Sequence, residues 1–203
     1  MAAHTVRIWS DYICPFCYVG LERGIWLAER FGAEVEWQPF DLHPEYPPEG
    51  LPRASLEERY GPAIHERTRA AIEAAGLAFD PPDVIPNSRA ALAVTELARE
   101  RGLHRAVHER LMHAYWSEAA DIGDRETLLD LVAEAELDRG EAAAALEDEA
   151  YVERVLKSTR LALRHGINAV PAFVIDERLL VMGAQPHGMF EEAMTMLETD
   201  RED

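Results

Sequence analysis

The apolar residues of this chain keep two different periods, and the switch between them limits the fold more than any other feature. Near the amino end, TVRIW (Thr5 to Trp9) and AEVEWQPF (Ala33 to Phe40) alternate polar with apolar, as strands do. Between them lies a helical stretch with Tyr18, Leu21, Ile25 and Ala28 on one face. From about Ser55 to His165 the period is helical. Its stripes are Ala90, Ala93, Val94, Leu97, then Leu128, Leu131, Val132, Ala135, then Val152, Val155, Leu156, Thr159. Gly76, Gly102, Gly123, Gly140 and DPPDVIP (Asp80 to Pro86) punctuate this block. After Gly166 strands return in PAFVID and LLVMGA, joined by a polar turn at Glu177 and Arg178, and a last helix turns Phe190, Ala193, Met194 and Leu197 inward. Two parallel strands and one helix cannot cover both faces of a sheet. The ends are therefore expected to form one α/β domain, residues 1–50 and 166–203, split by an all-helical insertion over 51–165. The short crossover between the first two strands favours a right-handed parallel pair.

Length and charge narrow the function classes. A chain of 203 residues, 48% hydrophobic, can bury a substantial core. No apolar run approaches the roughly 18 residues that cross a bilayer, and MAAHTVRIWSDY lacks a basic flank followed by an apolar signal core. The sequence as written therefore points to the cytoplasm and to no membrane partner. The net charge of -18 would repel phosphate backbones, and the arginines are scattered among acids, which argues against nucleic acid as a partner.

Both cysteines fall in SDYICPFCYVG, three positions apart. Pro15 suits the first turn of a helix, so Cys14 is expected at the N-cap with Cys17 one turn inside. Side chains three apart on a helix share a face, with Cβ atoms roughly 5–6 Å apart, so modest adjustment allows a disulfide. Unpaired N–H groups at the helix start favour a thiolate, which makes Cys14 the candidate nucleophile and Cys17 the resolving thiol. A structural zinc site wants four ligands and there is no second pair, so no metal is expected. A staple closing so short a loop gains little stability. A redox couple is the reading that remains.

The second element is INAVPAFVID, where Pro171 follows Val170 at the start of a strand. Proline is at home as a strand's first residue. The functional reading is a cis Val170–Pro171 peptide that turns the backbone of Val170 toward a bound substrate. A strand, Cys-Pro-x-Cys at a helix start, a long helical insertion, then Val-Pro opening a hairpin and GAQP before the last helix resembles the DsbA-type branch of the thioredoxin superfamily over the whole chain. DYICPFCYVG, FDLHPE and VMGAQP are similar to its FrnE-like cytoplasmic group. The resemblance implies a thioredoxin fold with an all-helical insertion between its βαβ and ββα halves, and cis-Pro171 packed beside Cys14. It implies a thiol–disulfide oxidoreductase or isomerase acting on protein thiols and disulfides or on glutathione, with no cofactor beyond its redox-active Cys14–Cys17 disulfide. Pro15 and Phe16, between the cysteines, would tune the couple. They supply no cation, unlike the histidine of the strongly oxidising periplasmic enzymes, so a less oxidising couple is expected. Where members often carry a histidine near NSRAAL, this chain has Leu92.

Other residues carry weaker signals. His104 and His108 lie four apart on a predicted helix with His113 further on, but HERLMH is not the HExxH spacing, and solvated histidines are expected. Tyr115 and Trp116 fit the helical core or its rim above the site. Glu22 and Glu36 are weighed as proton relays to Cys17 against plain surface solvation, and EDEAYVER reads as a solvated face. One alternative function is a glutathione-dependent isomerase or transferase of the kappa-class type, which shares this insertion; such relatives commonly have serine at the place of Cys14. A binding module whose cysteines sense redox state is a third. The oligomeric state is left open by the sequence.

Overall fold

The computed structural model describes residues 4–202. Met1 to Ala3, part of the segment read above for an export signal, and Asp203 lie outside the described residues. The chain opens with strand β1 (Thr5–Ser10), helix α1 (Pro15–Phe31) and strand β2 (Glu34–Pro39). Next come β3 (Leu51–Pro52), α2 (Ser55–Tyr60), α3 (Ile64–Ala74), β4 (Val84–Ile85), α4 (Arg89–Glu100), α5 (His104–Ser117), α6 (Arg125–Glu134), α7 (Arg139–Ala145) and α8 (Glu149–Arg164). Strands β5 (Ala172–Ile175) and β6 (Leu179–Met182) and helix α9 (His187–Glu202) complete it.

The two ends of the sequence build one four-stranded sheet in the order β2-β1-β5-β6, a thioredoxin fold with helices inserted between its halves. β1 runs parallel to β2, with Ile8 opposite Trp37, and antiparallel to β5, with Ile8 opposite Phe173. The expected parallel pair is present. Val6 and Ile8 are fully buried, as alternation in TVRIW requires once one face is covered. The β5–β6 turn passes through Asp176 (φ 51) and Glu177 (φ 56), a left-handed pair without glycine. Asp176 is held by His4 Nδ1 at 2.8 Å and by the Thr5 N–H at 2.9 Å, which ties the hairpin turn to the start of β1.

Two expectations need adjustment. The buried face of α1 is Cys17, Leu21, Gly24 and Leu27, with Tyr18 buried beside them, while Ile25 and Ala28 are only half-buried. The reason is that α1 is covered twice, by the sheet and by α3 and α5, and Tyr18 turns to the inserted helices, where its ring stacks on Trp116 at 6.3 Å. The inserted segment also holds two short strands, since Leu51 and Pro52 of β3 pair antiparallel with Ile85 and Val84 of β4. Proline-rich flanks hold both in extended conformation without showing any strand period. Gly50 (φ 75) closes the pair so tightly that a Cβ there would lie 2.6 Å from the Ile85 carbonyl oxygen.

α1 rests on the sheet through Gly24, where an added Cβ would stand 2.7 Å from Trp37 Cζ2 and 3.1 Å from Ile8 Cδ1. Both neighbours are buried and neither can swing away. Gly24→Ala is therefore expected to cost about 1–2 kcal/mol, because overpacking exceeds the helix propensity gained. A lower midpoint in chemical denaturation at unchanged slope would show it.

Candidate active site

The site begins where β1 ends. Cys14 takes extended backbone angles (φ -84, ψ 117) and is the N-cap of α1, with Pro15 in the first turn. Its carbonyl accepts the Cys17 N–H at 3.0 Å and the Tyr18 N–H at 3.4 Å, and no acidic side chain lies in that turn to oppose a thiolate. Both cysteines are free thiols. Cys14 is 6% exposed and Cys17 is 0% exposed, so only Cys14 can be reached. Burial, and next the neighbouring Cys14, push the Cys17 thiol well above its ordinary range.

The Val170–Pro171 peptide is cis. It lies against the start of α1, where the Cys14 thiol donates to the Val170 carbonyl at 3.4 Å and a Cβ on Gly20 would stand 3.1 Å from Pro171. The Gly183 N–H donates to the Pro171 carbonyl at 2.8 Å and fixes the loop from the far side. The two motifs, 156 residues apart in sequence, thus meet at one sulfur. Pro15 is half-buried and Phe16, at 52% exposure, stands out into solvent.

Cys14, Pro15 and Phe16 form one wall of a cleft of about 330 Å³. The opposite walls come from the inserted segment and the chain before it: Leu42, Tyr46, Leu56, Ile64, Phe79 and Trp116 make them mostly apolar. Arg53 braces this side by donating to the Pro82 carbonyl at 2.6 Å and to the Tyr115 hydroxyl at 2.7 Å, with its guanidinium over the Trp116 ring at 5.5 Å. Such a volume matches the lower end of small-ligand pockets.

Asp11, which sequence reasoning passed over, anchors the loop. Its carboxylate accepts the Leu42 N–H at 2.8 Å and the Ile13 N–H at 3.2 Å, and its carbonyl accepts the Cys14 N–H at 3.2 Å. Burial raises its pKa from 3.8 to about 6, against the opposing pull of bonds from Leu42, Ser88 and Ile13. The available signal was an acid three residues ahead of the nucleophile in SDYIC.

The remaining candidates fall elsewhere. Glu22 pairs with Arg23 and, at 3.1 Å, with His187 of α9, and Glu36 pairs with Arg7 at 3.6 Å. Neither meets Cys17. The histidines of α5 are not the solvated row that was expected. His108 is buried against Trp37 with ring centroids 4.5 Å apart, His104 receives Arg99 Nη2 at 2.8 Å, and His113 meets the Tyr18 hydroxyl at 3.0 Å. The cause is that α5 packs on both α1 and α4, which leaves it little free surface. Burial lowers the pKa of His104 to about 3 and takes that of His108 well below its usual value. Tyr115 and Trp116 are core residues, the latter bordering the cleft, and the Trp116 indole donates to the Tyr12 carbonyl at 2.8 Å. Among the described residues no cluster of three or more His, Cys, Asp or Glu could hold a metal ion, and no helix is long and apolar enough to cross a membrane.

A family model described as DSBA-like thioredoxin domain matches residues 5–195. The chain belongs to that family. A probable DsbA oxidoreductase from Streptomyces coelicolor shares 33% identity with this DSBA-like chain at a TM-score of 0.86, covering 95% of it and 89% of the other. YwbO of Bacillus subtilis (strain 168) is 30% identical across 96% of this chain and 97% of its own length. A 2-hydroxychromene-2-carboxylate isomerase superposes with a TM-score of 0.81 at 22% identity, covering 98% of both chains, which speaks for a shared fold alone.

Proposed function

We propose that this chain is a thiol–disulfide oxidoreductase or isomerase of the FrnE-like group, working in the cytoplasm. The observation that carries the reading is the Cys14 thiol at a helix start, 3.4 Å from the carbonyl of Val170 and open to an apolar cleft, with the buried Cys17 thiol one turn behind. Cys14 attacks a substrate disulfide as thiolate and releases the first substrate thiol. Cys17 then attacks Cys14 in the mixed disulfide, releases the second thiol and leaves the Cys14–Cys17 disulfide. The reverse sequence oxidises a dithiol. The Val170 carbonyl beside the Cys14 thiol supports a substrate-binding role for Val170 and Pro171, in which an extended substrate segment or the glutathione peptide would lie along the Val170 backbone. Pro15 and Phe16 set the potential by adding no positive charge beside the thiolate, which favours a couple less oxidising than the strongly oxidising periplasmic enzymes. Protein disulfides and glutathione disulfide are the substrate classes, and no dissociable cofactor is needed.

The apolar cleft beside Cys14 favours one second reading, a kappa-class-type isomerase or transferase in which glutathione and a compact organic substrate share the site. The deciding experiment compares insulin reduction and glutathione-disulfide turnover with conjugation of an aromatic electrophile. Disulfide exchange well above the uncatalysed rate, without conjugation, is the expected result. Conjugation that survives loss of Cys17, with no exchange by the native protein, would overturn it.

A further inference from the structure

A second, much smaller cavity of about 10 Å³ lies between the end of β1, β2, α4 and α5, with Ser10, Trp37, Leu92, Glu96, His104 and His108 in its lining. That is room for about one water. Two fully buried polar atoms from its lining, Ser10 Oγ and His108 Nε2, have no hydrogen-bond partner among the described residues. Such orphans are rare in folded proteins and call for a ligand.

The hydrogen-bond chain behind His108 fixes which of its nitrogens carries the proton. Thr95 spends its hydroxyl proton on the Ala91 carbonyl at 2.7 Å, so it must accept from the Tyr12 hydroxyl at 2.6 Å. The proton of Tyr12 is then used, and its contact with His108 Nδ1 at 3.3 Å requires Nδ1 to be the donor. In a neutral ring Nε2 is therefore a bare acceptor. Burial and the nearby His104 and Arg99 keep the ring neutral. The other orphan, the Ser10 hydroxyl, lies beside the Cys17 thiol and favours its thiolate, without making a hydrogen bond of standard geometry to it.

We propose that this cavity binds one water, which donates to His108 Nε2 and to Ser10 Oγ and so leaves the Ser10 O–H free to point at the Cys17 sulfur as it becomes a thiolate. The inference rests on the exchange reading above and concerns its second step. There the Cys17 sulfur forms a bond to Cys14 Sγ, the bond from Cys14 Sγ to the substrate sulfur breaks, and the departing thiolate takes a proton equivalent to the one Cys17 lost. Ser10 and His108 are positioning residues in this step, and neither touches the substrate. The groups facing Cys17 are Cys14, Ser10 and the Asp11 backbone; those facing His108 are Tyr12, His104 and Arg99, with Glu96 in the same cavity.

The test reacts the reduced full-length protein with dithiobis(nitrobenzoate) in single turnover. The first nitrothiobenzoate released reports attack by Cys14, and the second reports resolution by Cys17. Ser10→Ala is expected to raise the pH midpoint of the second release, because the O–H that favours the Cys17 thiolate is gone. Each unit by which it rises costs about tenfold in thiolate and returns about threefold in nucleophilicity, so at about pH 7 the second release should slow about threefold per unit relative to the first. Ser10→Thr, which keeps the hydroxyl, should restore the ratio. An unchanged ratio and midpoint in Ser10→Ala overturns the proposal. So does a ring-nitrogen NMR spectrum of the native protein in which His108 carries its proton on Nε2, a measurement that needs no variant to fold. If Cys14 releases nothing at all, the exchange reading fails instead, while a proton found on His108 Nε2 would still overturn the proposed water bridge.

Discussion

Replacing Cys17 with alanine is expected to halt turnover after its first step and to leave substrate covalently attached to Cys14. The reason is spatial. Cys17 is fully buried one turn behind Cys14, so it meets no substrate directly, yet it is the thiol placed to displace substrate from the mixed disulfide. Without it, release depends on an outside thiol reaching Cys14, a residue that is 6% exposed. Cys14→Ser should act differently and bring insulin reduction down to the uncatalysed rate with no adduct. A hydroxyl at the helix start stays protonated where a thiol ionises, and the buried Cys17 cannot substitute for it. Mass spectrometry of the two variants after mixing with glutathione disulfide separates the outcomes: an added glutathionyl group on Cys17→Ala, none on Cys14→Ser. Glutathionylation of Cys14→Ser would show that Cys17 is reachable and reverse the assigned roles. In the native protein burial holds the Cys17 thiol well above its ordinary range, so resolution should accelerate as pH rises through the neutral range.

How much of this was legible in the sequence depended on whether a residue's role is local. Pro15 fixes the helix start and Cys14 the N-cap through their own backbone preferences, and both stand where the spacing put them. TVRIW showed its strand by alternation and PAFVID by a short apolar run that is buried on both faces, and the register that places Ile8 beside Phe173 joins them. Roles created by distant packing were hidden. His108 looked like a solvated helix residue because nothing near it in sequence reveals that Trp37 would stack on its ring. Ile25 and Ala28 were read inward on a single-faced helix, whereas α1 is covered from two sides and its buried surface is spread over Cys17, Tyr18, Leu21 and Gly24. The β3–β4 pair is too short to show any period. The cleft joins Cys14 to Phe79 and Trp116, a conjunction that no window of the sequence contains.

Asp11 gives the largest expected effect on stability. Its folded pKa is raised from 3.8 to about 6, chiefly by burial, with Asp41 adding a smaller push in the same direction. The fold therefore favours the protonated acid. Its contribution is fully present below the unfolded value near 3.8, declines as pH rises, and is gone once pH has passed about 6. At about 1.4 kcal/mol per pH unit, the gap between those values is worth roughly 3 kcal/mol. Asp11→Asn removes this titration. The amide keeps one oxygen for the Leu42 or Ile13 N–H but turns its NH2 toward the other donor, a loss that is the same at every pH. The informative quantity is thus the difference in unfolding free energy between native protein and variant, followed by denaturant titration across pH. It should move in favour of the native protein by roughly 3 kcal/mol on going from about pH 7 to below about pH 4. A flat difference would mean that Asp11 titrates as an ordinary surface acid. The native protein accepts this strain at neutral pH because the charged carboxylate holds the amides of Ile13 and Leu42 and thereby fixes the loop that delivers Cys14 to the start of α1. Asp11→Asn should accordingly slow attack by Cys14 even under conditions where it is as stable as the native chain.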